Sequence, residues 1–333
     1  MAQNQTARKH GAARVVKRIL IVLCALIAAL AIVVFALWGG ELSTLKTLSR
    51  VEDDVNLFTM EYKADYALDE FLKTGASTDA ELVDFIVRQM LKGIPLNFDL
   101  PNLGCSTFAA QLTDGTPIFG RNFDMYDSPA LFVTTRPKDG YASISMVNLA
   151  YIGYNSESLP TSLTKSIMTL AAPYAPLDGV NEKGLAVGVL QIKTTPTNQQ
   201  TDKVDITTTS AIRLLLDRAA TVEEAVELLS QYDMHASAGS CYHFHIADAK
   251  GGSVIVEYID DEMSVVQGDA ATNFLLTPGE YDFGSGEDRY AVLRETLDAN
   301  GGVFESEEQA MELLKAVSQP VSEEKKSSTQ WSC

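Results

Sequence analysis

Cysteine is scarce in this chain of 333 residues, with four spread too far apart to staple a fold. Cys24 lies inside an apolar run, Cys333 is the last residue, and Cys105 and Cys241 stand alone. That pattern argues against a disulfide framework and leaves no CxxC pair for a structural zinc site. Cations are also few: 26 Lys and Arg against 44 Asp and Glu give a formal net charge of -18. So negative a surface disfavours nucleic acid and anionic membranes as partners and favours solubility. Signs of disorder and of a repeat array are missing, and an apolar fraction of 46% is enough for one large domain with appendages.

The few cations are placed unevenly. Arg8, Lys9, Arg14, Lys17 and Arg18 precede every acidic residue and are followed at once by the uncharged run Ile19 to Trp38. A helix over that run would be about 30 Å long at roughly 1.5 Å per residue, the thickness of a bilayer's hydrocarbon core. With cations on its N-terminal side, the positive-inside rule sets residues 1–18 in the cytoplasm as a basic tail and a signal anchor over 19–38 in the membrane. The remainder becomes the extracellular part of a single-pass protein of the cell membrane. A cleaved signal peptide is the rival reading; the run is long for one, yet Leu37-Trp38-Gly39-Gly40 leaves cleavage open.

Residues 41–104 read as a helical leader. Leu42, Leu45, Leu48, Val51, Val55 and Phe58 recur near helical spacing, and Asp79, Leu82, Val83, Phe85, Ile86, Met90 and Leu91 make a second amphipathic helix ending near Gly93. Pro95 and Pro101 then mark an extended arm up to Gly104. From Cys105 the pattern turns to strands, with CSTFAAQL and TPIFGRNF flanking the turn Asp114-Gly115 as a hairpin. Further strands are expected at 131–135, 143–149, 185–192, 242–248, 253–259, 263–267 and 271–276. Helices are expected at 208–220, at 222–231 behind Thr221 and Glu224, at 288–298, and at 307–318 behind Ser306 and Gln309. Ser328 to Cys333 opens one more strand and stops, as in a truncated chain. Strand runs interrupted by helix pairs predict an α+β protein with layered sheets.

Cys105 is where chemistry is expected. A thiol is a strong nucleophile only as thiolate or beside a base, and a Cys that begins a chain has a base in its own α-amine, with a reference pKa of about 8. Breaking Gly104–Cys105 would supply that amine, and Gly104 puts no side chain beside the scissile carbonyl. Taken alone, a lone strand Cys is more often a small buried hydrophobe. Cys241, His243 and His245 alternate on one side of a strand, where a metal site is conceivable but no carboxylate joins at fitting spacing. A papain-like pairing of Cys105 with His235 or His243 would need a Cys at a helix start. Tyr151, Tyr154, Phe274 and Tyr281 suit an acyl pocket or core packing. No metal or cofactor is expected.

Four segments in order carry a resemblance: Cys105 followed by Gly120-Arg121-Asn122-Phe123-Asp124, then Asp178-Gly179-Val180-Asn181-Glu182-Lys183-Gly184-Leu185-Ala186, then Ala271-Thr272-Asn273, then Glu287-Asp288-Arg289-Tyr290. Over residues 105–295 the chain resembles the choloylglycine hydrolase and acid-ceramidase-like family of linear amide C–N hydrolases, which work through an N-terminal nucleophile. The resemblance implies an αββα layered fold over 105–333 and autocleavage between Gly104 and Cys105. It makes Cys105 the nucleophile, Asp124 the group that orients the freed amine, and Arg121 the cation beside the thiolate. It has Asn181 and Asn273 donate to the oxyanion, with Arg289 completing the charge network.

The implied reaction is hydrolysis of a small N-acyl amide through a thioester, with acyl transfer to an amine and a catalytically silent ligand-binding ectodomain as rivals. Amides of bile-salt, penicillin V and N-acyl-amine type fit one core, because specificity rests on loops that vary. The 104 residues ahead of Cys105 place the chain with members made as zymogens, whose cut leader stays bound. Homo-oligomerisation is compatible with this reading.

Overall fold

Helix α1 (Ala2–Leu45) carries the apolar run, and its described side chains from Ile19 to Leu37 stand clear of the rest of the chain, Phe35 with 74% exposure. The computed structural model describes residues 2–52, 55–98, 103–321 and 327–333, with side chains from Lys17 onward except at 31 and 34. Among the described residues no single helix is long and apolar enough to cross a membrane; Lys17–Leu30 and Phe35–Leu45 meet that measure only together, at 61° to each other. The span expected over 19–38 is thus not singled out as one helix. The end of α1 docks on the body, where the buried Thr44 hydroxyl accepts from the N–H groups of Lys63 (2.9 Å) and Ala64 (3.0 Å).

The leader is not simply helical. It continues as β1 (Ser49–Arg50), β2 (Leu57–Tyr62), α2 (Leu68–Thr74) and α3 (Asp79–Gln89). In LFTMEY the side chains of Phe58, Met60 and Tyr62 are buried while Glu61 is exposed, a period of two that suits a strand. The helical spacing read through Val51 and Val55 fails because both are exposed. Helix α3 is as expected and opens on Thr78, whose hydroxyl accepts from the Glu81 N–H.

From residue 104 the elements are β3 (Gly104–Leu112), β4 (Pro117–Met125), β5 (Ala130–Thr135), β6 (Ser143–Asn148), β7 (Pro176–Asn181), β8 (Ala186–Ile192) and β9 (Val204–Thr207). Next come α4 (Thr208–Arg218), α5 (Val222–Leu229), β10 (Tyr232–His235), β11 (Cys241–Ala247), β12 (Ser253–Ile259), β13 (Glu262–Gln267) and β14 (Ala270–Ala271). Helix α6 (Glu287–Asn300), β15 (Val303–Phe304), α7 (Glu307–Ala316) and β16 (Ser328–Ser332) complete the chain. The β3–β4 hairpin turns at Gly115, whose φ of 85° favours glycine. The strand expected over 271–276 shrinks to two residues. The Glu257 carboxylate on β12 takes the N–H groups of Leu276 (2.7 Å) and Thr277 (2.8 Å) and keeps them out of a ladder.

Two sheets result. The larger has nine strands in the order β1-β2-β5-β6-β7-β8-β11-β12-β13, and the smaller runs β14-β3-β4-β16 with β15 also on β3. Strand β3 packs on β8, α4 backs β7 and β8, and α6 and α7 back β3 and β4. Helix, sheet, sheet, helix is the α+β layering expected of the sequence. Strand β2 lies parallel to β5 from Leu57 opposite Ala130 to Tyr62 opposite Thr135, so the leader is part of the large sheet. Phe71, Leu82 and Ile86 of the leader are fully buried in one core with Leu170, Tyr174 and Leu215. The Tyr174 ring lies 5.4 Å from Phe71 and 5.6 Å from Phe85, each edge to face.

Candidate active site

The β3–β4 ladder divides the candidate residues between two faces. Cys105 pairs with Phe123 and Thr107 with Arg121, so these four point to the large sheet; Gly104, Ser106, Asn122 and Asp124 point to α6 and α7. On the first face the four side chains are buried. Cys105 and Arg121 are fully buried, and Arg121 Nη2 lies 3.4 Å from the Cys105 Sγ. Arg121 Nε sits 2.7 Å from Asp178 Oδ2, and Trp331 Nε1 donates to that same oxygen at 3.2 Å. The guanidinium fits because Gly188 on β8 has no side chain: a Cβ there would come within 3.0 Å of Arg121 Nη1. Burial pushes the Cys105 thiol up to about 11, with Arg121 drawing it down and Asp124 pushing it up again.

The second face is built around Arg289, which α6 delivers. Its Nη1 donates to the Cys105 carbonyl (2.6 Å) and the Ser106 hydroxyl (2.7 Å) and lies 3.4 Å from Asp124 Oδ2, while Nη2 donates to Asn273 Oδ1 at 2.9 Å. The same Asn273 oxygen accepts the Cys105 N–H at 2.8 Å. Asn273 therefore holds the Cys105 nitrogen through its oxygen, and its own amide donates to the Gln191 carbonyl at 2.9 Å. Asp124 accepts from the Thr329 hydroxyl of β16 at 2.6 Å. Burial raises its carboxyl pKa, against the pull of that hydroxyl and of Arg289. A cleft of about 640 Å³ opens on this face, with Leu103, Gly104, Asp124, Gln191, Asn273 and Arg289 in its wall.

The family model for linear amide C–N hydrolases of the choloylglycine hydrolase family matches residues 105–278, more than half of the chain. The chain belongs to that family. Among curated proteins, the penicillin V acylase of Pectobacterium atrosepticum is 34% identical over 102 aligned residues, which span 26% of this chain and 26% of that protein. Among solved structures, a conjugated bile acid hydrolase from Clostridium perfringens aligns at 18% identity and a TM-score of 0.47, over 68% of this chain and 84% of that one. Penicillin V acylase from Agrobacterium tumefaciens aligns at 18% identity and a TM-score of 0.42, over 68% and 78% of the two chains.

In this choloylglycine hydrolase family chain, Cys105, Arg121, Asp124, Asn273 and Arg289 are brought together as expected, whereas Asn181 is not. Asn181 ends β7, where its Oδ1 accepts from the N–H groups of Lys183 (3.0 Å) and Leu185 (3.1 Å). Its Nδ2 donates to the carbonyls of Leu216 (3.0 Å) and Ala219 (2.7 Å) at the end of α4. With both amide hydrogens committed to a helix terminus, Asn181 has none to offer an oxyanion. Of the four aromatic residues that suit an acyl pocket or core packing, Tyr151 and Tyr154 belong to the main core. Tyr154 donates to the Lys165 carbonyl, Phe274 meets Tyr290, and Tyr281 meets Phe283.

The histidines with described side chains are tied into the scaffold. His235 faces Asp205 and Asn198, each at 2.9 Å, and pairs with neither thiol. His243 ties Glu257 (3.1 Å) to the Thr272 carbonyl (2.7 Å), next to Asn273 in the chain. Among the described residues no three of His, Cys, Asp and Glu are grouped to hold a metal ion. Three site residues were missed in the sequence: Asp178 on Arg121, Thr329 on Asp124, and Gln191, whose Oε1 accepts the Leu103 N–H at 2.9 Å. Gln191 had a signal, a lone amide within the apolar run AVGVLQI, where a buried polar group needs a partner.

Proposed function

We propose that the chain cuts itself between Gly104 and Cys105 and then hydrolyses small N-acyl amides through a thioester on Cys105, within an N-terminal-nucleophile fold. The observation that carries this reading is a coincidence at one residue: the family match begins at Cys105, and Cys105 is where Arg121, Asn273 and Arg289 converge. Once freed, the Cys105 amine would take the thiol proton and pass it to the leaving amine, Asp124 and Arg289 orienting it. Arg121 would stabilise the thiolate, and Asn273, turned from the scissile nitrogen, would donate to the oxyanion. The names of the relatives point to penicillin V and conjugated bile acids as amides to try first. Acyl transfer to an amine uses the same thioester, and competition of an added amine with water for the product separates the two.

The buried Phe71, Leu82 and Ile86 support retention of the leader after the cut, since each fully buried side chain of this size contributes roughly 1.5–3 kcal/mol. The exposed apolar stretch from Ile19 to Leu37 supports a tether to the cell membrane, with the body outside the cell. Intact-mass measurement of the full chain tests the proposal directly. Two fragments divided at Gly104–Cys105 are expected, eluting together, and Cys105→Ala is expected to stay whole and to lose about 10⁴-fold or more in amide hydrolysis. A folded wild-type chain that stays uncut removes the mechanism.

A further inference from the structure

We infer that the contact which makes residue 104 a glycine also selects the substrate: the site accepts acyl groups whose α-carbon is an unbranched CH₂ and rejects those branched there as an L residue is. This deepens, and rests on, the reading of Cys105 as a nucleophile that first cuts its own chain. In that cut, the Cys105 Sγ bonds to the Gly104 carbonyl carbon, the C–N bond to Cys105 breaks, and the thiol proton passes to the departing nitrogen. Water then opens the C–S bond, leaving the Gly104 carboxylate and the thiol. With an amide substrate the acyl carbon takes the place of the Gly104 carbonyl and the proton leaves with the amine. Both reactions pass through the same thioester, so the Gly104 Cα marks the α-carbon of any acyl group bound there.

Space at that carbon is short. A Cβ on Gly104 would lie 3.1 Å from Asp124 Oδ2 and 3.3 Å from Asp124 Cβ, closer than ordinary van der Waals contact. Gly104 has no left-handed backbone angle, so room and not conformation demands glycine. Asp124 is poorly placed to yield. Its strand is paired on both sides, by β3 and by β16, while the Thr329 hydroxyl holds one carboxylate oxygen at 2.6 Å and Arg289 lies 3.4 Å from the other. An L-type branch therefore presses on the residue that orients the amine. Beyond the α-carbon the constraint relaxes, because the cleft of about 640 Å³ gives a longer acyl group room. One consequence is that peptide bonds following any residue but glycine are poor substrates.

Two measurements test this. Gly104→Ala in the full chain is expected to slow self-cutting at least about tenfold by time-resolved intact mass, each factor of ten being about 1.36 kcal/mol of activation free energy. On cut wild-type enzyme, kcat/KM for acetyl-leucyl-glycine p-nitroanilide is expected to exceed that for the L-alanine analogue by at least about the same factor, which holds the inference to account even where the variant misfolds. Equal rates in either comparison overturn the selection while leaving the nucleophile standing. A wild-type chain that never cuts removes the nucleophile itself, and the selection with it.

Discussion

The two faces of the β3–β4 hairpin handle charge in opposite ways. Toward the large sheet, Arg121 and Asp178 form a buried ion pair beside a thiol that burial keeps protonated. Toward α6, Asp124, Asn273 and Arg289 sit in the wall of a cleft. The dry face fixes the geometry around the thiol, and the face on the cleft holds the groups proposed to orient the amine and to stabilise the oxyanion. Buried ion pairs are costly to break and contribute little net stability while intact. Asp124 and Arg289 are buried too, but the cleft beside them lets water reach an altered group, so a change there is expected to damage the fold less.

Arg121→Leu presses hardest on that difference. Leaving Asp178 buried and unpaired is expected to lower stability by about 3–5 kcal/mol in urea unfolding. The double variant Arg121→Leu/Asp178→Leu should recover much of that loss without recovering activity. Equal stability of single variant and wild type would show that the dry face is wetter than its burial indicates.

The second contrast is in pH. Because the thiol of the uncut chain is pushed up to about 11, its thiolate fraction grows with pH below that value. The rate of self-cutting is therefore expected to rise roughly tenfold per pH unit between pH 7 and pH 10. A flat profile, followed by mass spectrometry, would mean that proton removal is not limiting. Asp124→Asn keeps size and shape on the other face, and it is expected to cost about 10²-fold in cutting and hydrolysis with little change in melting temperature. The smallest effect belongs to Asn181→Ala, which removes ties to Leu216 and Ala219. Stability should fall by about 1–2 kcal/mol while kcat/KM on a working substrate stays put. A large loss in kcat alone would return Asn181 to the chemistry.

What could be read from the chain alone follows the range of the forces involved. The hairpin, α3 and α4 to α7 are written in local alternation and helical spacing, with Thr78, Thr221 and Ser306 marking helix starts. Asn273 and Arg289 were legible because ordered short motifs carried them. Strand β2 was not, since its six residues become a strand through a partner more than seventy positions away in the sequence. Asn181 shows the limit of motif order: the segment Asp178 to Ala186 does reach the site, but through Asp178, and its asparagine turns back to cap α4. Thr329 and Gln191 matter through distant partners, Asp124 and Leu103, and local pattern records neither pairing.

The parallel seam between β2 and β5 gives the proposed cut a kinetic signature. Before it, leader and body refold as one tethered chain, at a rate independent of protein concentration. Afterwards the same seam must form between two separate polypeptides, so recovery from denaturation becomes second order and slows on dilution. A solution unfolded and returned to native conditions would then remember whether it had been processed, the cut molecules failing to reassemble at dilutions where intact ones still do.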